Sequence, residues 1–375
     1  MSIRKGLSNI ANGVLYFLIK IIASFDKKGI RIMHAFRDVF IKKYGLITEY
    51  SFKSLHPSQY FVPSKIKTTT HPGELAIVIQ GPVVTTDDFT VETVRFYKMI
   101  FPGAHIIVST WDDTPADVIK AIETEGGIVV ISKIFKPCGL GNVNYQICTS
   151  LAGIKKAKEL GSEYVIKNRS DLRIYKEFTF EYLKALLDKN PVQSTVVPMK
   201  GRIITLAGFG GQLFYTNWLQ DFFYFGYTDD VLNFFDIPYD DRDGLARRSS
   251  LYLNDKYNGT YSGGTMCQER VPEVYMTTSF LSKYTKVEES LKDAWQYHHD
   301  YFMTIDYDTI GAMWYKYNLY TIQSEFAGDE NIKDYNKNLN TITSSAIINS
   351  MFEYEAWMEE MRFQKKGGKK AIIDK

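Results

Sequence analysis

Between Tyr164 and Ile174 the chain reads Y-V-I-K-N-R-S-D-L-R-I, a short apolar run followed at once by Lys167, Asn168, Arg169, Ser170, Asp171 and Arg173. Charged side chains are seldom buried without partners, so a cluster this dense is either paired internally or turned toward a ligand. The residue types suit an anionic ligand. An arginine fork matches phosphate oxygens, and a carboxylate holds a divalent cation or a sugar hydroxyl. An ion-paired cap on the end of a strand is the competing account. Two more polar groups follow apolar runs upstream: Gln80-Gly81-Pro82 after L-A-I-V-I, and Asp112-Asp113 after I-I-V-S-T-W. His298-His299-Asp300 has metal-ligating types but reads more simply as a polar helix turn.

The elements around these groups predict an α/β fold. Leu75–Ile79, Ile106–Thr110, Ile128–Ser132 and Tyr164–Ile166 are continuous apolar runs, as in strands buried on both faces of a parallel sheet. Helical spacing over Phe89–Phe101, Ala116–Glu125 and Asn144–Leu160 separates them. This alternation predicts a doubly wound, Rossmann-like, mostly parallel sheet, whose ligands bind outside the carboxyl ends of the strands. The polar groups at 80–82, 112–113 and 167–173 therefore converge on one rim, the expected site. Beyond Pro198 the alternation weakens. Gly208–Gly211 (G-F-G-G) predicts a strand or tight turn, 216–300 reads as mostly helical with acidic loops, and 306–321 as a helix turning into a late strand at 317–322.

Composition narrows the class. At 375 residues, with 45% hydrophobic and 23% charged side chains, the chain is an ordinary globular protein able to bury a large core. A net charge of +2 excludes a general polyanion binder, and no nucleic-acid partner is expected. Cys138, Cys148 and Cys267 form no disulfide framework and no metal spacing, which fits a reducing compartment. No dinucleotide glycine fingerprint, Walker loop, nucleophile elbow or zincin motif occurs, so dehydrogenase, P-loop, serine hydrolase and zincin readings lack support.

Charge is concentrated at the start. Residues 1–45 carry nine Lys or Arg against Asp26 and Asp38. Ile10, Val14, Phe17, Leu18, Ile21, Ile22 and Phe25 fall on one helical face among them, which suits either an anionic membrane surface or packing on the protein's own core. The apolar run is too short and too charged for a membrane span. The expected organisation is a basic amphipathic segment over 1–50, a linker over 51–72, a main domain over 73–325 with halves at 73–200 and 201–325, and a C-terminal helix and basic tail over 326–375.

Four segments, I-V-I-Q-G-P at 77–82, N-V-N-Y-Q-I-C-T-S-L-A-G-I at 142–154, K-N-R-S-D-L-R at 167–173 and P-E-V-Y-M at 272–276, resemble the WavE family of bacterial lipopolysaccharide-synthesis proteins. The resemblance implies a type A glycosyltransferase fold, a nucleotide-sugar donor and a lipid-linked or oligosaccharide acceptor. It further implies work at the cytoplasmic, inner face of the inner membrane. Gln80, Gly81 and Pro82 would lie on the base or ribose, with Asp112 or Asp113 against the same part of the donor. Asn144 and Gln146, at a helix start, suit phosphate or base, although Asn144 is an equally good helix cap.

Arg169-Ser170-Asp171 stands where type A enzymes place Asp-any-Asp, the pair that holds Mn or Mg on the leaving diphosphate. Arg replaces the first Asp, so Arg169 itself, with Lys167 and Arg173, is a candidate phosphate ligand. Asp171 is then left for a metal or a donor hydroxyl. If the reaction inverts, the acceptor hydroxyl needs a general base. Asp230 and Glu273 are preferred over Asp229, Asp240–Asp243 and Glu269. Two rivals remain: a metal-independent transferase using nucleoside-monophosphate sugars or polyol phosphates, and a non-catalytic carbohydrate-binding or scaffold protein of glycan assembly.

Overall fold

The computed structural model describes residues 53–64, 72–206, 216–242, 270–288 and 290–315, together with Val14, Phe17, Leu18 and Ile21. The chain divides into two compact units, Met1–Lys53 and Ser54–Lys375. In the first, Val14, Phe17, Leu18 and Ile21 are helical and stand at 55, 62, 49 and 43% exposure on one helical face. The remaining readings over 1–50 lie outside the described residues. So do the G-F-G-G turn, Asp243, Glu269, the late strand at 317–322 and the C-terminal helix and tail.

The second unit is built on a seven-stranded sheet of order β3-β2-β1-β4-β7-β6-β8. Its strands are β1 Leu75–Gln80, β2 His105–Trp111, β3 Ile128–Ser132, β4 Tyr164–Arg169, β6 Ile203–Leu206, β7 Phe223–Tyr227 and β8 Phe302–Ile305. A small ladder pairs β5 Leu172–Arg173 with β9 Met313–Trp314. The helices are α1 Phe89–Ile100, α2 Ala116–Thr124, α3 Val143–Glu159, α4 Thr179–Lys189, α5 Thr228–Phe235, α6 Pro272–Leu281, α7 Leu291–Tyr301 and α8 Tyr307–Ile310.

The first four strands pair in parallel, as their unbroken apolar runs require: all six residues of β1 are buried. β7 alone runs against its neighbours, antiparallel to both β4 and β6, while β8 returns parallel to β6. This is the Rossmann-like α/β sheet expected, completed by strands that the periodicity did not reveal. The described residues of 216–300 are not helix alone. They hold β7, a five-residue aromatic run whose period cannot be told from that of the neighbouring helices. β4 also outlasts its apolar residues. Pairing Lys167 with Tyr224 and Asn168 with Phe223 carries the ladder to Arg169, past the predicted end at Ile166.

Each face of the sheet buries its own core. Leu75, Ile77, Ile79, Ile106 and Val108 meet Val94, Tyr97 and Ile100 of α1 and Leu183 of α4. Ala76, Val78, Ile107 and Val165 meet Ile147 and Ile154 of α3, Phe234 of α5 and Phe280 of α6. Residues 54–64, within the stretch read as a linker, lie on the first face. Phe61 packs edge-on against Phe96, and the Leu55 carbonyl accepts from Arg173.

α3 rides unusually close to β1 because Gly153 has no side chain. A Cβ there would lie 2.3 Å from Val78 Cγ1. Gly153→Val should therefore cost about 1–3 kcal/mol through overpacking, read as a lower urea midpoint with an unchanged slope. A midpoint equal to the parent's would mean that α3 has room to retreat.

Candidate active site at the carboxyl rim of the sheet

Alternation along β4 sends Lys167 toward the α3 face and Asn168 toward α1. Lys167 is completely buried. Its Nζ donates to the Asp221 carbonyl at 2.6 Å and sits 5.4 Å from the Tyr224 ring centre and 5.7 Å from that of Phe235. Burial pushes its pKa down to about 7, against the opposing pull of Asp221. Asn168 donates to the Tyr97 hydroxyl and to the Leu172 carbonyl.

Arg169, at the strand end, is gripped from two sides. Its Nε and Nη2 donate to the two oxygens of Asp171 at 2.9 and 3.0 Å, and its Nη1 donates to Asp221 Oδ2 at 3.0 Å. Its guanidinium also lies over Phe222 and Trp314, 5.1 and 5.6 Å from their ring centres. Burial opposes its charge, but Asp221 and Asp171 together hold the pKa above the ordinary value.

The end of β1 lies against this cluster. Gln80 is opposite Arg169 on one side and Ser109 on the other, and its carbonyl accepts from the Ser170 N–H at 2.9 Å. Gly81 turns the chain at φ 116°, where a Cβ would come within 3.2 Å of Ser170 Oγ. Pro82 is exposed beside it. Asp112 and Asp113 stand exposed at the end of β2, on the far side of β1 from Arg169, and Asp112 Oδ1 accepts the Ile134 N–H at 3.3 Å. The rim thus gathers Gln80, Gly81, Lys167, Arg169 and Asp171, with the two aspartates further out along it.

Other expected residues are placed differently. Arg173 is fully buried on the α1 side. It donates to Thr93 Oγ1, the Leu55 and Phe89 carbonyls and the Tyr175 hydroxyl, and stacks 4.1 Å from the Phe89 ring centre. Its donors are spent on the core, so the phosphate role is corrected to a structural one. Asn144 is likewise consumed. It donates to the Pro137 and Asp240 carbonyls and accepts the Asp240 N–H at 2.7 Å, tying the start of α3 to a neighbouring loop.

Asp230 is at the wrong edge. β7 ends at Tyr227 beside Tyr164, the first residue of β4, so α5 starts at the amino rim. There Asp230 accepts the Lys200 and Gly201 N–H groups. The general-base reading of Asp230 fails on position. Glu273, in the first turn of α6, is on the carboxyl side: Gly141, just before α3, abuts Pro272, and the Glu273 charge acts on the buried Tyr224 hydroxyl.

Asp221 is the residue the sequence did not single out. It is a lone acid ahead of an aromatic run, and only the pairing of β7 with β4 brings it to Arg169. A divalent cation does not fit this arrangement. Both Asp171 oxygens are engaged by Arg169, and no group of three His, Cys, Asp or Glu able to hold a metal occurs among the described residues. His298 pairs with Thr304, and His299 with Asp300, within the polar end of α7.

Several buried polar atoms around the rim have no hydrogen-bond partner among the described residues: Gln80 Oε1, Ser109 Oγ, Gln146 Oε1, Asp221 Oδ1 and the Tyr224 hydroxyl. Buried polar groups are normally satisfied, so several such atoms near one rim set it apart from the rest of the core. Residues 75–344 match the family described as WavE lipopolysaccharide synthesis. The chain belongs to the WavE family. The match starts at the first residue of β1 and takes in the whole sheet and the rim, so this WavE protein carries the family's signature on the elements that build its site. It works in lipopolysaccharide synthesis. No curated protein matches it.

Lys167 gives the rim a pH signature. The unfolded chain keeps this proton up to an ordinary value of 10.5, whereas the folded protein releases it near pH 7. Between these values the unfolded state binds more protons, so the Lys167 contribution to stability rises with pH. Lys167→Met should flatten the rise in unfolding free energy between pH 7 and pH 9. An unchanged slope in denaturant titrations would contradict the buried-cation account.

Proposed function

We propose that this WavE protein is a glycosyltransferase. It moves a sugar from a nucleotide-sugar donor to a lipopolysaccharide core or a related bacterial surface glycan. The observation that carries the reading is the fixed Arg169 fork at the carboxyl rim, beside the end of β1 and near buried polar atoms with no hydrogen-bond partner among the described residues. When the bond between the sugar and the diphosphate breaks, negative charge grows on the leaving phosphate. A donor already locked in place stabilises that charge without reorganising. Arg169 keeps N–H groups beyond those used on Asp171 and Asp221, and its side chain is 21% exposed, so it reaches the rim. Glu273 is the remaining candidate for the base that takes the acceptor proton. No step is assigned to a metal, because Asp171 is already engaged by Arg169.

A thermal-shift panel of nucleotides and nucleotide sugars, each with and without Mn or Mg, tests this directly. One nucleotide sugar at a hundred times its Kd should add about 2.7 kcal/mol of stability, with or without the cation. Absence of a shift from every nucleotide and nucleotide sugar would overturn the glycosyltransferase reading. Glycan binding in that case would favour the scaffold alternative.

We also propose that the N-terminal face rests on the inner surface of the inner membrane, next to a lipid-linked acceptor. Val14, Phe17, Leu18 and Ile21 expose an apolar stripe within a segment rich in Lys and Arg, the pairing that anionic lipid surfaces hold. Among the described residues no helix is long and apolar enough to cross a membrane. Phe17→Glu should cut flotation with anionic vesicles several-fold while leaving the thermal midpoint unchanged. Equal flotation of both proteins would refute the contact.

A further inference from the structure

We propose that β3 is the seam of a homodimer. Two copies of the chain join edge to edge through an antiparallel pairing of Ile128–Ser132, about a two-fold axis at Val130. The two edges of the sheet are finished differently. β8, at one end, is covered, with no residue of Phe302–Ile305 more than 2% exposed. β3, at the other, pairs only with β2 among the described residues. None of its five residues is buried, and Ile131 is 46% exposed.

An open edge invites pairing, and globular proteins guard such edges with a charge, a proline or a bulge. β3 has none of these. It reads I-V-V-I-S, four β-branched apolar residues and a serine, in unbroken register with β2 from Ile128 to Ser132. An edge of this composition is suited to another strand, which supplies both backbone partners and apolar cover.

The backbone of β3 fixes how a second strand can join. The Ser132 carbonyl accepts the N–H of Asp112, just past the end of β2, so Ser132 turns its backbone groups inward. By strand alternation Val130 and Ile128 also face β2, while Val129 and Ile131 aim their N–H and C=O groups outward. An antiparallel copy satisfies all of these outward groups when Val129 of each strand lies opposite the partner's Ile131. Val130 then meets the partner's Val130 on the axis. This is the self-complementary pairing that a two-fold symmetric dimer requires.

Side chains and charges agree with that register. Val129 and Ile131 share one face of the strand, where Val129 packs on the core beneath α1, so the partner's Val129 covers the exposed Ile131. The residues just before β3 are acidic: Glu123 is exposed, and Glu125 also holds Arg95. Those just after it are basic, with Lys133 and Lys136 exposed. Antiparallel pairing sets the basic end of each copy beside the acidic end of the other, whereas a parallel pairing would bring like charges together. Backbone, side chains and charge order therefore select a second copy of this chain over an unrelated strand.

Sedimentation velocity of the full chain, with Ile131→Lys and Val129→Pro, tests the seam. Ile131 is exposed, and proline is tolerated where an edge N–H faces outward, so each variant should keep the parent's circular dichroism spectrum. Either one carries the test if the other fails to fold. At about 0.1 mM the parent should sediment as a dimer, at twice the 43.2 kDa of one chain, and each variant should weaken self-association about ten-fold or more. A monomeric parent overturns the proposal. So does a dimer that survives both substitutions, as one formed through the N-terminal apolar stripe would. The register is read separately with Val130→Cys, which falls on the axis in a non-hydrogen-bonded pair with Cα atoms about 4.5 Å apart. Copper–phenanthroline oxidation should link it into a covalent dimer, beyond any link that Cys138, Cys148 or Cys267 gives in the parent. No gain over the parent rejects the pairing about Val130.

Discussion

Arg169 lies between Asp171 and Asp221, and most of the rim is organised by that clamp. It joins the last residue of β4 to the loop that follows it and to the turn that precedes β7. Burying these charges separately would be far costlier than burying them together. Removing one partner from a buried pair leaves an uncompensated charge and typically costs about 3–5 kcal/mol. The same clamp makes Lys167 tolerable. The aspartate that pairs with Arg169 is the one whose carbonyl receives the lysine proton and whose charge opposes its desolvation. Four ionisable groups thus stand or fall as a unit.

The direction of a single strand decides which acids join that unit. β7 runs against β4, so the residues entering it arrive at the carboxyl rim and the residues leaving it are delivered to the amino rim. Asp221 enters and meets Arg169. Asp230 leaves, and settles on the N–H groups of Lys200 and Gly201. Were β7 parallel to β4, the two aspartates would exchange ends. The chemistry available to the site is in this sense a consequence of topology, because neither acid differs from the other in type.

That dependence explains what could be read from the residues alone. β1, β2 and β3 are apolar runs bounded by turn residues, and the helices between them keep a clear period, so the first half of the fold was legible. The charged cluster after Ile166 was legible too, since its density has no ordinary structural precedent. Arg173 and Asn144 belonged to the right segments yet face inward, because a residue's type does not reveal whether its donors are spent on carbonyls of the core. Asp221 was invisible for a different reason. Its significance comes from a pairing between segments more than fifty residues apart, with Lys167 and Arg169 reaching it across that separation.

On the proposed glycosyltransferase reading, Arg169 in the place of the first carboxylate of an Asp-any-Asp arrangement changes the electrostatic problem the site must solve. A divalent cation contributes excess positive charge that is available to a diphosphate. An arginine flanked by two carboxylates contributes almost none in the interior, where its charge is already matched. What it retains is directional: unspent N–H groups on the exposed side, held rigid by bonds to Asp171 and Asp221. Donors fixed in this way are suited to a planar, oxygen-rich anion by their geometry rather than by surplus charge.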